Sequence, residues 1–397
     1  MISKVNSIPA SSELKINFLA QLKLKYPGLA ALDLESIVAD NLLSPFTVKL
    51  PKSILQQAQA FVSAAFLLRS QPKYIEHYAP SLAALEIADP GNKSVMMSYD
   101  FHLDKDQQLK LIEINTNAAF MIMAMEMYEL HKKAFPVADF SNSEIKSMFE
   151  QELQFQGKTA KTNLRVAIID EVPSQQRLYI EFLVCQQILK SFGWTVEIQD
   201  FQAELGTYDL IYNRYNDFFL NGPQSKNLKD LFLSRKVCFS PNPNEYFLLA
   251  DKERLIEWQK PDFLESMLLD PQIIATIRGH LPGAQILNQG SAEALWAQRK
   301  QLFFKPMRAY GSKQSYRGAS IARKAFQEML QDGFLAQEYI PAPEITFETA
   351  TGPQNFKYDL RFYAYQGRVQ TAIARLYQGQ VTNLKTPLGG FACIDFE

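Results

Sequence analysis

The chain has 397 residues, 47% of them hydrophobic, so it can bury a large core, and its length predicts two or three domains. Lys and Arg number 41 against 42 Asp and Glu, which excludes an overall field drawing it to nucleic acid or an anionic membrane. No apolar run reaches about 18 residues and no charged, apolar, small-residue leader opens the chain, so no membrane span is expected and the cytoplasm is the expected location. Cys185, Cys238 and Cys393 lack paired spacing and stand among apolar residues, which predicts buried thiols.

Residues 1–90 read as a helical scaffold. "SELKINFLAQLKLKY", "LDLESIVADNLL" and "SILQQAQAFVSAAFLLRS" place apolar residues three and four apart. In a second segment, 91–163, "SVMMSYDFHL" and "LKLIEIN" flank the polar turn "DKDQQ" and predict a hairpin. A helix over "FMIMAMEMYELHKKAF" follows, its methionine stripe reading as core packing. From 164 to 243, "LRVAIID", "SQQRLYIEFLVCQQILKSFG", "TVEIQD", "YDLIYNR" and "KVCFSP" alternate strand and helix, which predicts a small open α/β domain. The remaining segment, 244–397, carries most of the candidate chemistry.

Glu113 and Asn115, two apart on a strand, project from one face, where a carboxylate and an amide oxygen can share Mg²⁺. A solvated polar strand face is the alternative. In "QLFFKPMRAYGSKQSYRG" an apolar strand ends in Lys305 and runs into a loop with Gly311, Ser312 and Gly318. Small residues let backbone N–H groups approach phosphate, although the spacing is not that of a Walker loop. "FLAQEYIPAPEITFET" leads a strand into a proline-bearing hinge. There the main chain at Gln337, Glu338 and Ile340 could meet an adenine edge, and Glu344 could hold ribose hydroxyls. Residues 358–383 predict two strands about a turn at Gln366 and Gly367, with Arg361 and Arg375 inside apolar sequence. Buried arginine needs an anion, either phosphate or a structural carboxylate. His77, His102, His131 and His280 have no zinc-type spacing, and His102 reads as a surface or packed residue.

Lys305 on its strand, the glycine loop, "QEYI", "DLR", "ARLYQGQVTN" and "GGFA" come in the order of the ATP-grasp ligases, which this chain resembles. In most members a metal-binding Glu-x-Asn strand follows the last of these. Here the sequence ends at "CIDFE", and the element stands upstream as "EINTNAAF". The order implies a circular permutation, as in eukaryotic glutathione synthetase. "YDFHL", "LKLIEINT", "QQRLYIEF", "DLIYNRYN", "LLADK" and "FFKPMR" resemble that family in the same order, over residues 95–397. The C-terminal motifs are also similar to those of a group of uncharacterised bacterial permuted ATP-grasp proteins.

The resemblance implies an ATP-grasp fold of mixed α+β and α/β class, with an inserted α/β substrate domain and an N-terminal helical region. It implies that Lys252 and Lys305 contact ATP phosphates beneath a lid at Gly311–Gly318, that Glu113 and Asn115 bind Mg²⁺, and that Gln176 and Arg214 contact the substrate. Asn383, Gly389 and Gly390 would supply donors near the acceptor. The synthetase's further metal-binding glutamate falls at Ala309, and Asp100 is the expected replacement. "EINTxSASF" becomes "EINTNAAF", and the arginine and serine expected before Asp100 become Ser98 and Tyr99. These departures lie on the substrate side and argue against glutathione as the product.

The implied chemistry is an ATP- and Mg²⁺-dependent ligation of a small carboxylate and an amine, such as an amino acid or small peptide, through an acyl phosphate. Lys305, Arg361 and Arg375 would stabilise the transition state. Two alternatives stand beside it: an inactive ATP-grasp module that binds nucleotide or peptide as a regulator, and an ATP-dependent small-molecule kinase. A homodimer is left open.

Overall fold

The computed structural model describes residues 11–137, 140–159, 161–307 and 315–397. Its largest element is a seven-stranded sheet in the order β1 (Leu43–Leu50), β15 (Gly390–Phe396), β14 (Arg368–Tyr377), β13 (Gly352–Tyr365), β2 (Met97–Leu103) and β3 (Leu109–Asn115), with β12 (Glu344–Thr349) pairing the outer part of β13. The expected hairpins form. Asp104 Oδ1 accepts the N–H groups of Asp106 and Gln108 (2.9 Å each) and closes the β2–β3 turn. Gln366 (φ +48°) and Gly367 (φ +75°) are both left-handed, as a two-residue turn matching the twist of its strands requires.

The decisive pairing is between segments far apart in sequence. β13 runs antiparallel to β2, with Leu360, Arg361 and Phe362 opposite Phe101, Asp100 and Tyr99. The "EINT" strand therefore shares one sheet with the strands of residues 352–377, as a permuted order demands. One face of this sheet, with Tyr99, Phe101, Phe362 and Ala364, packs against the helix Lys52–Ser70. The other face is divided. Tyr363 and Tyr365 join the core with the helix Met121–Leu130, while Asp359 and Arg361, further back along β13, belong to a polar row.

A second sheet, in the order β10 (Tyr316–Arg317), β9 (Leu302–Pro306), β11 (Phe334–Glu338) and β8 (Ala284–Leu287), is antiparallel. It has its own small core around Phe304, Phe326 and Leu295. The third sheet is parallel, in the order β5 (Thr195–Asp200), β4 (Arg165–Asp170), β6 (Leu210–Asn213) and β7 (Cys238–Ser240). β4 and β6 read as continuous apolar runs because the central strands of such a sheet are buried on both faces. All three cysteines are buried thiols. No helix among the described residues is long and apolar enough to cross a membrane.

The N-terminal region differs from the helical reading. "LDLESIVADNLL" keeps only a short helix, Leu34–Ile37, and the chain then enters β1. Phe46, Val48 and Leu50 are buried alternately, and Val48, Lys49 and Leu50 lie parallel to Ile394, Asp395 and Phe396. The strand's partner is the other end of the chain, a pairing that no local period reveals. Pro45 falls where the register shifts between Leu43 and Thr47, at the edge of the sheet, where a missing N–H costs least.

Gly389 and Gly390, expected as donors near the acceptor, are buried at this packing contact. Gly389 N–H donates to the Thr386 carbonyl (2.9 Å). Gly390 has φ +94°, and a Cβ there would lie 2.4 Å from the Asn41 carbonyl oxygen and 2.6 Å from that of Leu42. Gly390→Ala should destabilise the fold by about 2 kcal/mol or more, through strain and collision with backbone. Urea unfolding should show a lower midpoint at unchanged slope; an unchanged midpoint would refute this packing role.

Candidate active site

Four strands of the large sheet carry a row of polar side chains in direct register. Asp359 on β13 faces Arg375 on β14, Arg361 on β13 faces Asp100 on β2, and Asp100 faces Glu113 on β3. Arg361 grips Asp100 with two donors, Nε to Oδ1 (2.8 Å) and Nη2 to Oδ2 (2.6 Å). Arg375 Nη2 donates to the same Oδ2 (2.8 Å), while its Nε donates to Asp359 Oδ1 (2.6 Å). Ser98 Oγ donates to Asp100 Oδ1 (3.2 Å). A carboxylate has roughly four lone-pair sites, and these four contacts, with a longer fifth from Asn115 Nδ2 to Oδ2 (3.5 Å), occupy them.

Asp100 is therefore not a free metal donor, which corrects the expectation that it replaces the glutamate missing at Ala309. Burial pushes its carboxyl up, but the two guanidinium charges outweigh burial and hold it at about 2. Arg361 is raised well above its ordinary range, since Asp100 outweighs its burial. Of the arginine alternatives, Arg361 takes the structural carboxylate.

Glu113 reaches the polar face through an irregularity in β3. Strict alternation would put Glu113 on the core side with Leu109 and Leu111. The register instead runs Asp100 to Glu113 and then Phe101 to Leu111, so Ile112 is an extra residue. Such a bulge re-aims the side chains beyond it. Leu109, Leu111 and Ile114 are buried, while Glu113 and Asn115 are half-buried and line a cleft. Asn115 Nδ2 lies 3.3 Å from Glu113 Oε1. The bulge also serves the facing sheet, because the Ile112 carbonyl accepts a hydrogen bond from Lys305 Nζ (2.8 Å).

The cleft lies between the large sheet and the small antiparallel one. β9 and β11 supply Phe303, Lys305 and Gln337, while β2, β3, β13 and β14 supply the polar row. Lys305 is buried and also donates to Gln337 Oε1 (2.8 Å). Burial pulls its pKa down, Glu113 opposes this and Lys252 adds to it, leaving Lys305 at about 8. Lys252 follows a π-helical turn, Tyr246–Ala250, and lines the same cleft. Its pKa is also lowered by burial, against the pull of Glu113.

The hinge is more committed than expected. Glu338 N–H donates to the Gly283 carbonyl (2.6 Å), Tyr339 N–H to that of Gln301 (2.8 Å), and Gly283 N–H to Glu338 Oε2 (3.1 Å). His102, read from sequence as surface or packed, lines the cleft and holds the Ile340 carbonyl through Nδ1 (2.7 Å). Because a carbonyl only accepts, Nδ1 carries the proton. Burial keeps the imidazole pKa low.

Several expected residues lie elsewhere. Glu344 is exposed on β12 and accepts from Asn355 Nδ2 (2.7 Å), outside the cleft lining. Asn383 spends its amide locally, donating to the Gln378 and Val381 carbonyls and accepting from Lys385 N and Thr386 Oγ1. It thereby shapes the loop that presents Gln380 and Thr382 to the cleft. Arg214 is buried and donates to the Ala118 carbonyl (2.5 Å), and Gln176 Nε2 donates to the Glu171 carbonyl (2.5 Å); neither lines the cleft. Gly311, Ser312 and Ala309 fall outside the described residues. Sequence reasoning gave Asp359 no role, although its position two before Arg361 puts both on one face of the strand.

No family model and no curated protein sequence matches the chain. Among solved structures, a glutathione synthetase-like effector from Globodera pallida superposes with a TM-score of 0.57 at 11% identity, covering 89% of this chain and 90% of that one. The chain has the ATP-grasp fold, in permuted order. A putative gamma-glutamylcysteine synthetase from Methylobacillus flagellatus KT gives a TM-score of 0.44 at 11% identity, over 82% of this chain and 84% of that one. The ATP-grasp ligase PsnB gives 0.27 at 10% identity, over 58% and 90%. Scores this low add nothing to the fold assignment.

In an ATP-grasp cleft the donor set can be tested against Mg²⁺. Among the described residues no three His, Cys, Asp or Glu side chains are placed to hold a metal. Glu113 and Asn115 nevertheless offer two hard oxygen donors on one face. They suit an ion that keeps waters and takes its other ligands from substrate phosphates, and not a dedicated protein cage.

Removing the charge of Asp100 should damage the fold before it damages any metal site. Asp100→Asn leaves two buried guanidinium groups under-compensated, and thermal or urea unfolding without ligand should show a loss of about 3–5 kcal/mol. Because the folded pKa is depressed to about 2, this contribution is present above the ordinary carboxyl value of about 4 and is lost as pH falls toward 2. If the variant matched the parent in stability without ligand, the two-arginine clamp would be discounted.

Proposed function

We propose that the chain is an ATP- and Mg²⁺-dependent carboxylate–amine ligase. The observation that carries this reading is one cleft of an ATP-grasp fold lined together by Lys252, Lys305 and Arg375 and by the Glu113–Asn115 pair. Lys252, Lys305, Lys357 and Arg375, lining the cleft with Asp100, Glu113, Glu338, Asp359 and the Asn115 amide, suit a triphosphate carried with a divalent cation better than a neutral ligand. Small amino acids or peptides are the proposed substrates.

A substrate carboxylate oxygen bonds to the γ-phosphorus as the bond to the β-bridging oxygen breaks, and that electron pair leaves on ADP. An amine nitrogen then bonds to the acyl carbon, the C–O bond to phosphate breaks, and the amine gives up a proton to water or the departing phosphate. No covalent enzyme group is needed, so catalysis rests on positioning and on neutralising charge. Lys305 and Lys252 neutralise phosphate oxygens from the small-sheet side and the π-turn. Arg375, fixed by Asp100 and Asp359, offers an oriented positive charge from the large sheet. Glu113 and Asn115 would hold Mg²⁺, which would supply positive charge against the phosphates. His102 keeps the hinge at Ile340 in place.

The second reading, a nucleotide-binding module without turnover, is favoured by the sealed state of Asp100 together with Ala309, which leaves Glu113 as the cleft's main carboxylate for metal. Product identity separates the readings. The ligase releases ADP and phosphate only when carboxylate and amine are both present, a kinase leaves phosphate on its acceptor, and a binding module does neither. Screening amino acids and small peptides in pairs for phosphate release is the test.

Lys305→Met should weaken ATP binding at least tenfold, about 1.4 kcal/mol, by calorimetry; unchanged affinity would remove Lys305 from the site. Phosphate favours the charged ammonium, whereas burial leaves it at about 8 in the free protein. ATP affinity should therefore hold below that pH and fall as pH rises through it, with proton uptake on binding above about pH 8. Lys305→Arg should abolish this dependence.

Glu113→Gln should lower stability without ligand, because Glu113 is the charge that offsets the burial of Lys305 and Lys252, and should also remove the extra stabilisation given by Mg²⁺ with ATP. Thermal melts with and without both ligands decide this. Full retention of the Mg²⁺-dependent shift would require rebuilding the metal site from other groups.

A further inference from the structure

His102 stands at the hinge end of the cleft with one ring nitrogen unspent. On β2 it follows Asp100 by two residues, so both side chains leave the polar face of the strand while Tyr99, Phe101 and Leu103 enter the core. Nδ1 donates to the Ile340 carbonyl (2.7 Å), which fixes the ring and its tautomer. Burial lowers the imidazole pKa, so at neutral pH Nε2 carries a lone pair and no proton. Nε2 has no hydrogen-bond partner among the described residues, and it is not closed off from solvent. His102 lines the cleft, so this acceptor opens into it.

A bare acceptor selects a donor. Triphosphate oxygens donate nothing at neutral pH, which leaves the ribose hydroxyls and the exocyclic amine of the base. Position favours the ribose. The ring is tied to the hinge through Ile340 and feels the charges of Asp359, Lys305 and Arg375. It therefore lies between the hinge and the groups that would meet phosphate, and in a nucleotide the ribose joins the base to the phosphates. The carboxylates at this end already hold partners. Glu338 Oε2 accepts from Gly283 N–H (3.1 Å), Asp359 Oδ1 from Arg375 Nε (2.6 Å) and Asp359 Oδ2 from Thr382 Oγ1. Glu344, the residue expected to hold ribose, is outside the cleft lining.

We propose that His102 Nε2 accepts a hydrogen bond from a ribose hydroxyl of the nucleotide and so discriminates against nucleotides that lack it. The inference rests on the nucleotide reading above and adds to it a residue that reads the sugar. The test is calorimetry on the full chain with Mg²⁺, in the parent and in His102→Phe. ATP is compared with 2′-deoxy-ATP, 3′-deoxy-ATP and purine riboside triphosphate, which lacks the base amine.

The parent should bind ATP at least fivefold more tightly than one of the two deoxy analogues. His102→Phe removes both ring nitrogens and should weaken ATP binding, with the ratio of ATP to that analogue collapsing to below about twofold; loss of the hinge contact alone would weaken all nucleotides together and leave the ratio intact. In the unmodified protein the Nε2 resonance of His102, one of four histidines, should move on binding ATP and not on binding that analogue. This measurement decides the matter if the variant fails to fold. Equal affinity of the parent for ATP and both deoxy analogues, an unchanged ratio in His102→Phe, or an Nε2 resonance that ATP leaves in place would each overturn the assignment while nucleotide binding stood. So would a preference for ATP over purine riboside triphosphate that vanishes in His102→Phe, which would put the base amine on the imidazole. No binding of ATP by the parent would overturn the nucleotide reading and this assignment together.

Discussion

Everything at the cleft depends on Asp100 and the two arginines that close on it. A buried carboxylate with all its lone pairs in charge-assisted bonds is costly to desolvate and strongly directional once formed. Here it spans three strands: Arg375 on β14, Arg361 on β13 and Asp100 on β2. β2 comes from the first third of the chain and the other two from its end. The cluster therefore fixes the register between distant segments, and with it the position of β3, which is bonded to β2. Register matters because a one-residue slip would send every side chain to the opposite face. Asp359, held by Arg375, and Tyr363, donating to the Ala119 carbonyl (2.5 Å), extend the same control to the loop after β3.

With that frame set, two bulges decide what the large sheet presents to its surroundings. The one at Ile112 turns Glu113 and Asn115 into the cleft and frees a carbonyl for Lys305, so the small sheet is tied to the strand that would carry the metal. The one at Gln370 leaves an amide packed on Met148, with its Oε1 unpaired among the described residues. At Ile112 the sheet gives up a regular ladder contact and gains a directed polar group.

The electrostatic character of the cleft follows from crowding. Lys305 is buried with Lys252 half-buried near it, and the principal compensating charge each feels is Glu113. Arg375 is already neutralised by Asp100 and Asp359, which hold it in place. An anionic ligand would meet one pre-oriented guanidinium and two ammonium groups whose charged forms it favours against burial. This is pre-organisation of the kind that phosphoryl transfer rewards.

Local pattern was enough to read the β2–β3 hairpin, the turn at Gln366 and Gly367, the alternating elements of residues 164–243 and the strand ending in Lys305, because each depends on neighbours in sequence. It also indicated that Arg361 and Arg375 needed anions, since burial of arginine is legible from apolar flanks. Ordered motifs pointed to the permuted fold. β1 was misread because its partner is β15, and a strand paired to the far end of a chain leaves only a short alternating stretch beside helical sequence. Asp100 was misassigned because one-dimensional spacing shows a carboxylate near Glu113 but not the guanidinium groups that saturate it. That Gly390 must be glycine follows from a positive φ and a close backbone approach, which no local pattern shows. The sequence by itself determined the element types, the chemistry available and the order of the motifs. Only the tertiary structure decided which carboxylate was free, which face Glu113 took and which distant strands met, because those depend on bulges, lone-pair saturation and pairing across some 250 residues, none of which has a local period.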